Sequence, residues 1–226
     1  MYHYVTDKVF LKESYSMCAD LVNQLVQELK KYGIYSRMSV VGSKKRGMVV
    51  QNEREPIDYD FNLWIDRVDN TEINGNLRKL KEYIKEVFDI VLEYNGQKSC
   101  NDSTSVLTTK KMQLKRGNRT QFSIDVCIVK TDNYGNWYRL RHQKTWNVLL
   151  DTYCWEKGRY TTKNIEQKEK FLKPKYWLEV REIYLEKKNR YLRRQEMEYH
   201  PSYNCYIEAV NEVYNKVTSR NRTFWG

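Results

Sequence analysis

A chain of 226 residues with a formal net charge of +11 can bury a substantial core, as one large domain or two small lobes. The charge favours anionic partners such as nucleotides, nucleic acid or other phosphates, although a solvated basic surface gives the same total. The five cysteines (Cys18, Cys100, Cys127, Cys154 and Cys205) are scattered without a CxxC pair, and no stretch has the apolar length of a signal peptide or membrane span; this argues against a disulfide scaffold, a zinc cluster or an integral membrane protein, and for a soluble cytoplasmic protein with free thiols.

Met17, Leu21, Leu25 and Leu29 recur at steps of four, with Val22 and Val26 beside them, and predict a first helix from about Ser14 to Tyr32, stopped by Gly33. Ile34 to Val41 is β-branched and aromatic and predicts a strand that ends at Gly42-Ser43. Lys44 to Pro56 is polar and reads as a surface loop. Ile57 to Ile65 alternates: Ile57, Tyr59, Phe61, Leu63 and Ile65 share one face, and Asp58, Asp60, Asn62 and Trp64 the other. Asn74 to Tyr94 predicts a second helix. Thr104 to Leu114 and Gln121 to Val129 predict two strands joined by a turn at Arg116-Gly117-Asn118, with Asp125 opposite the apolar face of Phe122, Ile124, Val126 and Ile128. Asp132 to Asn136 is a turn-rich break and a candidate boundary between a lobe at 1–131 and one at 132–226. Helices are expected there over Thr145–Trp155, from Pro174 to about Glu196, and over Ser202–Val217, where Ser202 suits an N-cap and Tyr206, Val210, Val213 and Val217 form a stripe.

Three aspartates on one sheet face call for an explanation. Carboxylates a few ångströms apart repel, and one ordinarily takes up a proton. A divalent cation removes the conflict: Mg²⁺ prefers hard oxygen donors, and a third carboxylate from a neighbouring strand allows two ions to clamp an in-line phosphoryl transfer. Exposed, solvated acids on a charged chain are the alternative for Asp58 and Asp60; Asp125, flanked by apolar residues, is harder to dismiss, because a buried charge needs a partner. At the Gly-Ser turn, Gly42 permits close backbone approach to a phosphate, Ser43 offers a hydroxyl, and Lys44, Lys45 and Arg46 sit where triphosphate charge would be neutralised; an ordinary strand-ending turn is the alternative.

The order Val41-Gly42-Ser43, Asp58-Tyr59-Asp60-Phe61, Ile124-Asp125-Val126 resembles the DNA polymerase β-like nucleotidyltransferase superfamily over Val40 to Val129. Gly42 to Gly47 looks like the Gly-Ser-x-x-Arg-Gly-Thr variant of archaeal-type CCA-adding and cyclic-nucleotide-synthesising members, with Met48 where that variant often has Thr. The resemblance implies an α/β (α+β) fold, a mixed sheet of about four or five strands flanked by helices, followed by a C-terminal helical lobe that completes a nucleotide cleft. It implies that Gly42 and Ser43 hold the β- and γ-phosphates, with Lys44 and Arg46 beside them. Asp58 and Asp60 would bind two Mg²⁺ or Mn²⁺ ions, and Asp125 one of them and the acceptor hydroxyl. The reaction implied is transfer of a nucleoside monophosphate from an NTP to a hydroxyl with release of pyrophosphate. A nucleic-acid end (RNA) or another nucleotide suits the basic charge best as acceptor; a small molecule of the antibiotic type and a non-catalytic nucleic-acid-binding module are the alternatives.

Two further basic clusters flank these motifs. Lys110, Lys111, Lys115, Arg116 and Arg119 read equally as a phosphate-tracking patch and as a solvated hairpin tip. Trp137 to Lys144 mixes rings and cations, and by the resemblance Arg141 or Lys144 could contact the nucleotide; packing at a lobe junction is the plainer reading. His142 and His200 lack a second ligand at metal spacing and read as structural.

Overall fold

A computed structural model of the chain describes residues 1–115, 119–158, 162–196 and 201–223. Along the chain the elements are β1 (Tyr2–Tyr4), α1 (Lys8–Lys31), β2 (Ile34–Val40), α2 (Gly42–Arg46), β3 (Val50–Asn52), β4 (Ile57–Val68), α3 (Leu77–Tyr94), β5 (Asn101–Asp102), β6 (Val106–Thr108), β7 (Phe122–Thr131), β8 (Trp137–Gln143), β9 (Thr152–Lys157), α4 (Thr162–Leu172), α5 (Trp177–Arg193) and α6 (Ser202–Thr223). The expected turn at Arg116-Gly117-Asn118, and His200, lie outside the described residues. The chain divides into two compact units, 5–49 with 54–158, and 1–4 with 50–53 and 159–226.

The larger unit is built on a mixed sheet of seven strands in the order β2-β4-β7-β6-β5, with β8 added to β7 and β9 to β8. Only the β4–β7 pair is parallel among these neighbours. The alternation read in the sequence sets which face is buried: Ile57, Tyr59, Phe61 and Leu63 are at most 1% exposed. They join Phe122, Ile124, Val126 and Ile128 of β7 in one core with Leu21, Leu25 and Leu29 of α1 and Ile84, Phe88 and Val91 of α3. Helix α1 starts at Lys8, a turn and a half before the expected Ser14, because the Asp7 carboxylate accepts from the Phe10 N–H at 2.9 Å and caps it. Asn76 caps α3 in the same way through Lys79 N–H.

Four expectations are corrected. The stretch from Lys44 to Pro56, expected as a surface loop, holds most of α2 and strand β3, with Met48 and Val49 buried. The helix expected over Thr145–Trp155 is a loop, one short 3₁₀ turn at Val148–Leu150, and strand β9. Asn147 Oδ1 accepts from Leu149 N–H, and Asp151 Oδ1 accepts from Thr145 N–H at 2.7 Å, so local side chains take the backbone donors that a helix would need. Trp137 to Gln143 is a strand, so with β9 the sheet continues past residue 131 and exceeds four or five strands. Pro174 sits in the turn between α4 and α5 instead of in the first turn of a helix.

The smaller unit contains α4, α5, α6 and the antiparallel pair β1–β3. The stripe of α6 is buried as its spacing implies, with Tyr206, Val210, Val213 and Val217 at most 4% exposed. Strand β1 is bound to α5: Tyr2 N–H donates to Asn189 Oδ1 at 2.7 Å, Asn189 Nδ2 donates to Tyr2 O at 3.0 Å, and the Arg181 guanidinium lies 4.3 Å from the Tyr4 ring centre. All five cysteines are free thiols. Among the described residues no helix is long and apolar enough to cross a membrane.

Candidate active site

The site lies on the sheet face opposite α1 and α3. The two central strands are parallel and pair Asp60 with Asp125, and Asp58 with Ser123. Adjacent strands run about 4.8 Å apart, so the three aspartates start from neighbouring Cα positions on one face. Asp58 is exposed, and Asp60 and Asp125 are half-buried.

Two of the carboxylates are held by hydroxyls and the third lies against α2. Ser123 Oγ donates to Asp58 Oδ1 at 2.5 Å. Thr108 Oγ1, opposite Asp125 in the antiparallel β6–β7 pair, donates to Asp125 Oδ1 at 2.5 Å. Asp60 lies against α2: Val41 N–H donates to the Asp60 carbonyl at 2.9 Å, and a Cβ on Gly42 would stand 1.9 Å from Asp60 Oδ2. Gly42 also has φ +64°, a left-handed conformation that other residues adopt only with strain. The glycine of the Gly-Ser turn is thus required by Asp60 of β4, a link that the sequence alone does not display. Ser123 and Thr108 were not among the residues singled out above. Ser123 stands two places before Asp125 and so shares its face, a signal present in the sequence; Thr108 depends on strand register and is not readable there.

Two of the three basic residues of the turn are engaged within the protein. Lys44 Nζ donates to Leu11 O at 3.2 Å and lies 4.6 Å from the Tyr15 ring centre, and burial pulls its ammonium below the usual lysine range. Arg46 Nη1 donates to Gly42 O at 2.9 Å. Met48 is 1% exposed and belongs to the packing, not to a polar contact. Lys45 is exposed. Arg141 Nη1 donates to Glu156 Oε1 at 2.6 Å, and Arg139 shares the same carboxylate. Lys144 donates to the Asp102 carbonyl. The structure therefore brings Gly42, Asp58, Asp60 and Asp125 together with Ser43 next in chain, and places Arg141 and Lys144 in other contacts. His142 is structural as expected: it is 5% exposed, bridges Asp102 and Asp151 through its two nitrogens at 2.8 and 2.7 Å, and stacks on Tyr153.

Burial, and then the charge of Asp58, hold the Asp125 carboxyl above the usual range, while the Thr108 hydrogen bond acts the other way. Neither Asp58 nor Asp125 has a Lys or Arg partner among the described residues. Burial pushes the nearby Cys127 thiol up to about 11, so it adds no thiolate to the set. Hard oxygen donors with uncompensated negative charge on adjacent strands fit Mg²⁺ or Mn²⁺ in chemistry and register. As the side chains stand, with Asp58 and Asp125 turned to their hydroxyls, no three His, Cys, Asp or Glu side chains among the described residues meet at metal-holding distance.

No protein-family model and no curated protein sequence matches the chain. Solved structures do match in fold. CdnC of Escherichia coli MS115-1, in a complex with HORMA-deltaN, superposes with TM-score 0.56 at 16% identity over 92% of this chain and 60% of that one. The same protein solved with ATP gives TM-score 0.55 at 16% identity over 92% and 61%. The CdnE cyclic dinucleotide synthase of Elizabethkingia meningoseptica, solved with GTP and Apcpp, gives TM-score 0.50 at 15% identity over 88% and 69%. The chain has a nucleotidyltransferase-type fold, with a central mixed sheet flanked by helices. The chain spans about 60% of the length of the CdnC chains that it matches.

Proposed function

We propose that this chain is a metal-dependent nucleotidyltransferase that moves a nucleoside monophosphate from an NTP to a hydroxyl, with a second nucleotide or a nucleic-acid end as acceptor. The observation that carries the reading is the in-register parallel pairing of Asp60 with Asp125, with Asp58 two residues away and Gly42 against Asp60. The fold likeness to a cyclic dinucleotide synthase supports a nucleotide as acceptor over a small molecule. A non-catalytic nucleic-acid-binding module would gain nothing from clustered carboxylates beside an anionic ligand.

In this reading Asp58 and Asp60 would hold two divalent cations and Asp125 would hold one of them. Bound Mg²⁺ or Mn²⁺ supplies Lewis-acid stabilisation of the charge that develops on the phosphoryl oxygens. The residues of this chain do the positioning. Gly42 and Ser43 bring backbone and hydroxyl to the β- and γ-phosphates, and Lys45 stands exposed beside them. Asp125 orients the acceptor hydroxyl and takes its proton, a task suited to a carboxyl whose affinity for protons is raised by burial. The acceptor oxygen forms a bond to the α-phosphorus as the bond to the bridging oxygen breaks, and pyrophosphate leaves with that electron pair. A nucleotide-contact role for Arg141 or Lys144 requires exchange of Glu156 or the Asp102 carbonyl for phosphate.

The test is incubation of the purified chain with each α-labelled NTP and Mg²⁺ or Mn²⁺, with and without RNA. Label is expected in an oligonucleotide, a cyclic product or RNA, and its absence in Asp58→Asn. Transfer into RNA should fall steeply between about 50 and 200 mM salt, whereas transfer to a free nucleotide should depend on salt far less. Label found in no product, together with no Mg²⁺-dependent NTP binding, would move the chain to the non-catalytic class.

A further inference from the structure

We propose that the hydroxyls of Thr108 and Ser123 are positioning groups that set the Asp125 and Asp58 carboxylates for divalent-cation binding. The inference rests on the nucleotidyl-transfer reading above and adds to it the means by which two of its ligands are oriented.

The geometry is the same on both sides of β7. Ser123 is register partner to Asp58 across the parallel β4–β7 pair, and its Oγ is 2.5 Å from Asp58 Oδ1. Thr108 is register partner to Asp125 across the antiparallel β6–β7 pair, and its Oγ1 is 2.5 Å from Asp125 Oδ1. An ionised carboxylate only accepts, so the hydroxyl is the donor in each case. Both lengths fall in the range of about 2.5–2.7 Å found for O–H···O⁻ bonds, which are roughly twice as strong as neutral ones.

Packing does not explain a serine at position 123. Its neighbours Phe122, Ile124 and Val126 are fully buried apolar residues, and Ser123 itself is only 5% exposed. A buried hydroxyl at such a place needs a partner, and the partner that it finds is a carboxylate. An aspartate is otherwise free to turn about two side-chain bonds. Fixing one oxygen on a hydroxyl from the next strand fixes the carboxylate plane, and with it the oxygen left for a cation. Asp60 is placed by other means, its closeness to Gly42. Each of the three carboxylates thus has its own support, and in two of them the support is a single removable hydroxyl. Groups that hold metal ligands from behind alter metal affinity by about 10–100-fold when removed.

The test is a direct titration with Mn²⁺ by electron paramagnetic resonance on the whole chain, needing no turnover. Thr108→Val keeps the shape and deletes the hydroxyl; Thr108→Ser keeps the hydroxyl; Ser123→Ala deletes the other hydroxyl from a different strand. Thr108→Val and Ser123→Ala are each expected to weaken Mn²⁺ binding about tenfold or more, while Thr108→Ser stays within about threefold of wild type. Far-ultraviolet circular dichroism checks folding, and the two deletions on separate strands serve as independent tests. If both bind Mn²⁺ as wild type does while Asp125→Asn has lost it, the positioning role is overturned and the metal site stands. If wild type itself binds no Mn²⁺, the site reading is overturned and this inference with it.

Discussion

Gly42 is where the Gly-Ser turn and the acidic strand constrain each other. Any side chain there meets Asp60 Oδ2 at 1.9 Å and must also adopt φ +64°. Gly42→Ala should therefore cost more than the ~1 kcal/mol typical of an incompatible glycine replacement, and should displace Asp60; urea denaturation and Mn²⁺ titration would read the two effects separately. Asp125 carries the opposite liability. Its carboxyl is held above the usual range by burial and by Asp58. A carboxyl with a raised folded-state pKa costs nothing when protonated in both states. It costs stability as pH climbs past the unfolded value of about 3.9, and the cost is complete above the folded pKa. Asp125→Asn, whose amide oxygen still accepts from Thr108, should raise the Tm of the metal-free protein at pH 7, and the gain should disappear near pH 3. An unchanged or lowered Tm at pH 7 would mean that Asp125 is not destabilising. At this scale the sequence displayed Asp58, Asp60, Asp125 and the Gly-Ser turn, because residue order survives without coordinates. It did not display Thr108, whose role depends on which residue of β6 falls opposite Asp125.

Among the elements, β4 and β7 were legible because one face of each is fully buried, which forces strict alternation. The segment from Lys144 to Lys157 was not. Trp146, Val148, Leu149 and Leu150 mimic an apolar helix face, yet they are 54–90% exposed. What holds the segment is polar. Arg78 Nη2 donates to the carbonyls of Val148 and Asp151 at 3.0 and 2.9 Å. His142 bridges Asp151 to Asp102, and Lys81, only 2% exposed, stands 2.6 Å from Asp102 Oδ1, off the hydrogen-bonding direction, while donating to Ser103 O at 2.7 Å. These long-range polar contacts tie α3 to β5, β8 and the loop, and no periodicity announces them. Removing one partner of such a group leaves charge uncompensated, so Lys81→Met should destabilise the larger unit by about 3 kcal/mol in urea denaturation. A change below about 0.5 kcal/mol would show that the network contributes no more than an exposed ion pair.

At the scale of the whole molecule, the mixed sheet flanked by helices was foreseen in class but not in width, since β8 and β9 extend it. Both were hidden by charge: Arg139 and Arg141 alternate with Leu140 and His142, and their guanidinium groups are balanced by Glu156 on the neighbouring strand. The backbone fold is shared with CdnC and CdnE at 15–16% identity, a level at which shape is retained and chemistry must be argued from the site. We read three carboxylates on two parallel strands, with Gly42 against Asp60, as a site for nucleotidyl transfer. Pyrophosphate release from a mixture of the four NTPs with Mg²⁺, measured side by side for wild type and Asp60→Asn, tests it most directly. The account predicts magnesium-dependent release by wild type and a rate lower by a factor of about 10³ in the variant, whose fold is unchanged by circular dichroism. Equal release by both proteins would contradict it.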